Sequence, residues 1–197
     1  RPARSTWKNT RIVTIIPAMS NKPRIFLTGS AGKVGAIIRN HLGKKYRVQP
    51  YDKRSNLLQN IISPTALNIW MRGADTVIHA AAIPNSDAGT PNELFNTNVS
   101  GTQNVLAAAA RHKVRRFIFI SSISYYGIFD HDWLPRALPI TENYTHNTKA
   151  EAAGIDPYGK SKQLAEQLVA WYGLNTPMQC VSLRPATVGP AEHIYPK

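Results

Sequence analysis

An α/β fold with a doubly wound parallel sheet in three αβα layers is predicted by three features of this sequence. Strand-like apolar runs alternate with amphipathic helix-like stretches along most of the chain, the pattern of parallel strands joined by crossover helices. A glycine loop, Thr28-Gly29-Ser30-Ala31-Gly32-Lys33-Val34-Gly35, stands between the first strand pattern and the first helix pattern. The chain has 197 residues and 43% hydrophobic content, enough for one sizeable core and short for two.

Pro23 to Thr28 (PRIFLT) reads as a buried strand running straight into the glycine loop. Val34, Ile37, Ile38 and Leu42 then recur at helical spacing over 33–42, and Gly43 suits the stop. Tyr46 to Tyr51 reads as a second strand ending at Asp52, so strand, glycine turn, helix, strand and acid form the opening βαβ of a dinucleotide-binding sheet. Leu57 to Ile62 is expected as a weakly written third strand. Pro64 opens a short helix to Met71, and Asp75 to Ala80 (DTVIHA) is a buried strand. One long helix is expected over 92–112, followed by a strand from Arg116 to Ile120. Asp156 caps a helix with Pro157 at its first position, running to about Tyr172, and Gln179 to Arg184 is the last strand. The loop from Ile128 to Ile155, with Asp130, His131, Asp132, Trp133 and Pro135, is long for a compact domain and is expected to overhang the site.

The net charge of +13 divides unevenly. Residues 1–60 hold thirteen Lys/Arg against one acid, Asp52, while residues 61–197 are nearly balanced, with eleven against ten. Residues 1–18 carry Arg1, Arg4, Lys8 and Arg11 without an acid. That composition suits an organelle-targeting remnant or an extension ahead of a start at Met19, and the extension is the preferred reading. Residues 1–22 are therefore expected outside the fold, with the nucleotide-binding domain over 23–197. Basic residues beside a pyrophosphate site are expected in any case, so a nucleic-acid partner is the weaker reading of the charge. No apolar run approaches the roughly 20 residues of a membrane helix. The single cysteine, Cys180, excludes an intrachain disulfide and a Cys-based metal site. No metal is expected, and the cysteine usage fits a cytoplasmic, reducing compartment.

The chemistry rests on two halves. In the glycine loop Gly29 permits a tight turn, Gly32 lets backbone approach a pyrophosphate, and Gly35 lets the helix pack on the sheet. Amides at the helix start then face the phosphates, so Gly29, Ser30, Ala31, Gly32, Lys33, Val34 and Gly35 are the phosphate-binding candidates. Asp52 stands where a carboxylate takes the adenosine ribose hydroxyls, which favours NAD. Lys53 and Arg54 follow it and offer NADP as the alternative. Far along the chain, Tyr158-Gly159-Lys160-Ser161-Lys162 puts a tyrosine and a lysine one helical turn apart on one face. An ammonium there is expected to lower the phenol toward the range of an acid–base catalyst.

Six segments in order, TGSAGKVG (28–35), DTVIHAAA (75–82), NVSGTQNVLAAA (98–109), FIFISSISYYG (117–127), YGKSK (158–162) and LRPATVGP (183–190), resemble the extended short-chain dehydrogenases/reductases, the NAD-dependent epimerase/dehydratase group. The resemblance runs from Arg24 to about Pro190 and implies a Rossmann fold with NAD as cofactor. It implies that Ser122 hydrogen-bonds the reacting oxygen, that Tyr158 is the acid–base, and that Lys162 binds the nicotinamide ribose and activates the tyrosine. Asn98 matches an asparagine near the site, either a proton relay or a helix-kink residue. Ala80, Ala81 and Ala82 are implied to line the cofactor, with Asn60, Ile61 and Pro185 completing its pocket. Family members carry Gly-Asp where this chain has Gln59-Asn60, and Val188 runs into Gly189-Pro190 one residue early. Asn60 is expected to meet adenine through its amide oxygen.

The motifs end well before those of family members, so a fragment without the C-terminal substrate lobe is expected, with weak NAD(H) binding and no useful turnover by residues 1–197. The implied substrate is a sugar or sugar nucleotide. The alternatives are a non-sugar carbonyl, as in steroid- and flavonoid-acting relatives, and a binding protein without turnover. A homodimer through the helices at 92–112 and 156–172 is the expected assembly.

Overall fold

A computed structural model describes residues 22–127, 140–141, 156–186 and 188. The 1–18 segment, most of the 128–155 loop with Asp130, His131 and Trp133, and the Gly189-Pro190 pair lie outside the described residues. Within them, β1 (Arg24–Thr28), β2 (Arg47–Tyr51), β3 (Thr76–His79), β4 (Arg116–Ile120) and β5 (Gln179–Leu183) form one sheet in the order β2-β1-β3-β4-β5. Every pairing is parallel. The chain steps outward from β1 to β2 and then returns past β1 to β3. That reversal leaves a crevice at the C-terminal ends of β1 and β3, the usual ligand position in such sheets.

The helices are α1 (Lys33–Leu42), α2 (Pro64–Trp70), α3 (Pro91–Phe95), α4 (Gly101–Arg111) and α5 (Pro157–Asn175). Local chemistry sets their starts. Ser63 accepts from Ala66 N–H ahead of Pro64, Thr90 and Glu93 form a reciprocal capping box, and Asp156 accepts from Gly159 N–H at 3.0 Å ahead of Pro157. The two sheet faces carry separate cores. Phe26, Val77, Phe117 and Phe119 pack with Leu67, Val105, Leu106, Ala165 and Val169 from α2, α4 and α5. On the other face Ile25, Leu27 and Ile78 pack with Ile38 and Leu42 of α1.

Two elements differ from the sequence expectation. Residues 57–62 form turns, not a strand, and Leu57 and Leu58 are largely exposed. Their amides are taken locally: Asn56 Oδ1 accepts from Leu58 N–H and Asn60 Oδ1 from Ile62 N–H, both at 3.0 Å. Asn side chains that bond the backbone two residues on favour turns over ladders. The expected 92–112 helix is interrupted by a π-helical turn, Asn96–Ser100, between α3 and α4. Thr102 Oγ1 donates to the Asn98 carbonyl at 2.5 Å inside that widened turn.

Candidate active site

Because all five strands run one way, Thr28, Asp52, Ala80, Ser121 and Arg184 all emerge at one edge of the sheet. The glycine loop is built by close approach. Gly29 has φ +69°, and a Cβ on it would stand 2.5 Å from Ala81 N; a Cβ on Gly35 would stand 2.1 Å from Gly29 O. Neither position admits a side chain, so the loop is locked against α1 and the Ala80–Ala81 backbone. Gly32 is different. A Cβ there meets only Gly29 O and the Arg54 Nη2, both at 3.1 Å, and faces the open side of the turn. α1 starts at Gly32 with no side-chain cap and no acid in its first turn. Ser30 Oγ is buried without a hydrogen-bond partner. Uncapped helix amides, an orphaned hydroxyl and a corner that only a small residue leaves open fit a phosphate-bearing ligand.

Asp52 closes the outer side and is already engaged. Its Oδ2 accepts from Ala31 N–H at 2.9 Å and from Arg54 Nη2 at 3.1 Å, while Oδ1 accepts from Arg54 N–H at 2.9 Å. The hydrogen bonds from Arg54 and Ala31 outweigh burial and hold the carboxyl below its usual range. Lys53 is exposed. Asn60 and Ile61 serve the scaffold: Asn60 Oδ1 closes the turn on Ile62, and Ile61 is buried with its side chain against Gly101. The Ile61 side chain is taken by the core, which leaves its backbone as the part able to face a cofactor.

The catalytic candidates meet at the ends of β4 and β5. The β4–β5 ladder continues past the strands through Ser121 N–H to Leu183 O (2.8 Å) and Ile123 N–H to Pro185 O (3.1 Å), which sets Pro185 beside Ser122. Tyr158 and Lys162 reach this corner from the first two turns of α5, and the Ser122 hydroxyl is near enough to act on the Tyr158 phenol. Lys162, only 3% exposed, donates from Nζ to Ile120 O at 3.0 Å and lies 5.6 Å from the Tyr158 ring centroid. Burial lowers this ammonium to about 8, with Glu166 pulling the other way.

The phenol does not follow the sequence expectation. Burial pushes Tyr158 above its usual value, Ser122 pulls it down, and Asp156 pushes it up again. Lys162 sits against the ring and is bonded to a carbonyl, so the fold alone does not lower the phenol.

Asn98 is 2% exposed and its amide is fully occupied. Oδ1 accepts from Ile83 N–H at 2.8 Å, and Nδ2 donates to Ile83 O at 3.1 Å and to Ser161 Oγ at 2.9 Å. With both amide hydrogens committed, its side chain clamps the segment after β3 to α5. This clamp inside the π-helical turn fits the helix-kink alternative.

Sequence reasoning missed His79. It is fully buried at the end of β3, its ring centroid 5.7 Å from that of Phe119. Thr102 Oγ1 donates to Asn98 O, so it accepts from His79 Nε2–H at 2.9 Å. Nδ1 is then the acceptor, taking Thr28 O–H at 2.6 Å, and Thr28 Oγ1 in turn accepts from Ala81 N–H at 3.3 Å. Each donor finds one acceptor, which assigns the neutral Nε2–H tautomer and ties the floor of the glycine loop to Asn98. The signal was a histidine closing an otherwise apolar strand pattern.

A cavity of about 700 Å³ lies elsewhere, between α5 and β5, lined by residues including Val169, Gly173, Leu174, Met178 and Cys180. Glu166, Thr176, Gln179 and Ser182 also line it. Among the described residues no cluster of three or more His, Cys, Asp or Glu could hold a metal ion, and no helix is long and apolar enough to cross a membrane.

A family model described as the NAD dependent epimerase/dehydratase family matches residues 25–194. The L-arabinose 1-dehydrogenase (NAD(P)(+)) of Haloferax volcanii is 30% identical over 173 residues, covering 82% of this chain and 65% of that protein. A short-chain dehydrogenase/reductase superfamily protein from Agrobacterium tumefaciens, solved with bound NAD, superposes with TM-score 0.70 at 30% identity, over 82% of this chain and 48% of that one. The UDP-glucose 4-epimerase of Brucella ovis in complex with NAD gives TM-score 0.69 at 28% identity, over 82% and 51%. The chain thus spans about half the length of the two solved relatives.

Proposed function

Because the chain belongs to the NAD-dependent epimerase/dehydratase family, we propose that it holds NAD across the C-terminal edge of the sheet and supports hydride transfer at a hydroxyl or carbonyl carbon. The substrate class is a sugar or sugar nucleotide, the kind named for the similar arabinose dehydrogenase and UDP-glucose epimerase. The observation that carries the reading is the convergence of Ser122, Tyr158 and Lys162 at the edge that carries the Gly29–Gly35 loop. When bound, NAD supplies the hydride acceptor and returns the hydride.

The chain's own residues do the rest. Backbone amides at the start of α1 and Ser30 Oγ hold the phosphates, and the Ala80–Ala82 backbone supports the nucleoside. Ser122 fixes the reacting oxygen and Tyr158 Oη takes its proton, or returns one to a carbonyl. Lys162 donates to the ribose and keeps a positive charge beside the phenol. Since the fold alone raises Tyr158, activation is completed only when a further cation joins Lys162 at this corner.

The Asp52–Arg54 pair favours NADP as a second cofactor. Arg54 stands beside Gly32 with its guanidinium free to turn from Asp52 to a 2′-phosphate, whereas NAD requires Asp52 to exchange Arg54 for the ribose diol. Arg54→Ala should shift preference toward NAD, and an unchanged ratio removes this second reading. A homodimer through the helical segments 92–112 and 156–172, with Trp171 and Leu174 of α5 exposed, belongs to the same proposal, as does a cytoplasmic location.

Tyr158→Phe tests the central assignment. Turnover of sugar nucleotides by the full-length protein should fall about 10²–10⁴-fold with NADH affinity retained. Equal turnover would remove Tyr158 from the chemistry.

A further inference from the structure

Tyr158, Lys162 and Glu166 follow one another at four-residue steps along one face of α5. Lys162 Nζ is buried, yet no carboxylate among the described residues comes within 4.0 Å of it. The nearest acid in effect, Glu166, is itself only 9% exposed and is turned away. Its Oε1 accepts from Arg184 Nε at 2.9 Å and its Oε2 from Arg184 Nη2 at 2.7 Å, a two-pronged fork. The guanidinium is fixed in turn by Nη1 donating to Tyr126 Oη at 2.7 Å, and by the Tyr125 ring, whose centroid is 3.6 Å from its Cζ.

We propose that Arg184 is a positioning residue for the Tyr158–Lys162 pair, gripping Glu166 so that this carboxylate cannot close on the Lys162 ammonium. Lysine and glutamate at this spacing are within pairing reach on a helix. A buried carboxylate stripped of its arginine is strongly driven to find another cation, and Lys162 is one turn away. Closing that pair would draw Nζ off Ile120 O and away from the Tyr158 ring. It would tighten the lysine's hold on its proton and deny the ammonium to the phenol.

Among the described residues, the other charged or titratable groups that act on this corner are four. His79 on β3 feels Lys162 but is neutral, Tyr125 and Tyr126 face Arg184, and Asp156 acts on Tyr158 from the start of α5. The consequence for catalysis rests on the function proposed above; the ionic arrangement does not.

The test is a ¹⁵N NMR titration of the Lys162 side chain in parent, Arg184→Met, Arg184→Lys and Arg184→Met/Glu166→Gln. The parent lysine should titrate near 8. In Arg184→Met its midpoint should rise by about one unit or more, as expected for a newly formed opposite-charge neighbour. Arg184→Lys, which keeps a cation without the fork, should move it in the same direction. The double variant should return it to the parent value or below.

If Arg184→Met does not fold, the comparison of Arg184→Lys with the double variant carries the same contrast. An unchanged Lys162 midpoint in folded Arg184→Met or Arg184→Lys, or a double variant that stays raised, overturns the proposal. NADH titration of the parent is read separately: its failure would count against the function, while the lysine titration would still decide the role of Arg184. In assays of turnover the alkaline shift should reappear in the pH profile of kcat. A uniform loss of kcat with the profile unmoved would indicate a purely structural arginine.

Discussion

Acid should unlock this fold through His79 before it reaches most of the surface. The imidazole is fully buried, and burial, reinforced by Lys162, lowers it to about 3 from an ordinary 6.5. Unfolding releases it to water, where it takes up a proton at any pH below 6.5. Its contribution to stability is therefore complete above pH 6.5 and is lost as the pH falls toward 3. A separation of about 3.5 units at 1.36 kcal/mol each sets a ceiling near 5 kcal/mol. The loss should be roughly 2 kcal/mol by pH 5 and about 3 kcal/mol by pH 4.

Urea unfolding of the parent and of His79→Gln at several values from pH 7 to pH 4 isolates this component. Asp52, also lowered in the fold, contributes to both proteins alike and cancels in the difference. The parent should lose about 3 kcal/mol more than the variant over that range. Parallel pH dependence in the two proteins would refute the reasoning, as would an imidazolium at pH 5 in the ¹⁵N spectrum of the folded parent. That spectrum also reads the Nε2–H tautomer directly, and it serves if the variant does not fold.

The three glycines should separate by experiment. Gly32→Val should abolish NADH binding with little loss of thermal stability, since its Cβ meets one carbonyl and the end of a flexible arginine; Gly35→Val should unfold the loop and lower Tm by several degrees, because backbone stands 2.1 Å away. Lys162→Met should raise stability at pH 7 by roughly 2–3 kcal/mol, because a buried ammonium lowered to about 8 opposes folding at neutral pH, and should weaken NADH binding at the same time. A variant that loses both stability and affinity would contradict the origin assigned to the shift.

Much of this architecture was legible because local patterns and tertiary packing agree. RIFLT, TVIH and RFIFI are short apolar runs, and each is a strand of the buried sheet. Asp156-Pro157 and Gly29–Gly35 carry their own backbone chemistry, so the start of α5 and the turn after β1 lie where expected. Leu57-Leu58 misled because apolar character says nothing about neighbouring Asn56 and Asn60, whose side chains capture the amides a strand would need. The direction of the Tyr158 shift was not legible either. Spacing puts Lys162 near the ring, but only the fold shows its ammonium bonded to Ile120 O and the phenol buried. The His79 chain joins residues 51 and 23 positions apart, Thr28 and Thr102, and no local pattern announces it.

Amide chemical-shift mapping of NAD⁺ binding to the ¹⁵N-labelled chain tests the central claim, that one dinucleotide site runs along the C-terminal edge of the sheet. The account predicts the largest changes at Gly29–Gly35, the Asp52–Arg54 turn, Ala80–Ala82, Ser122 and Tyr158–Lys162, in a single saturable process. Changes confined to the cavity around Gly173, Leu174 and Cys180, with the glycine loop silent, would contradict it.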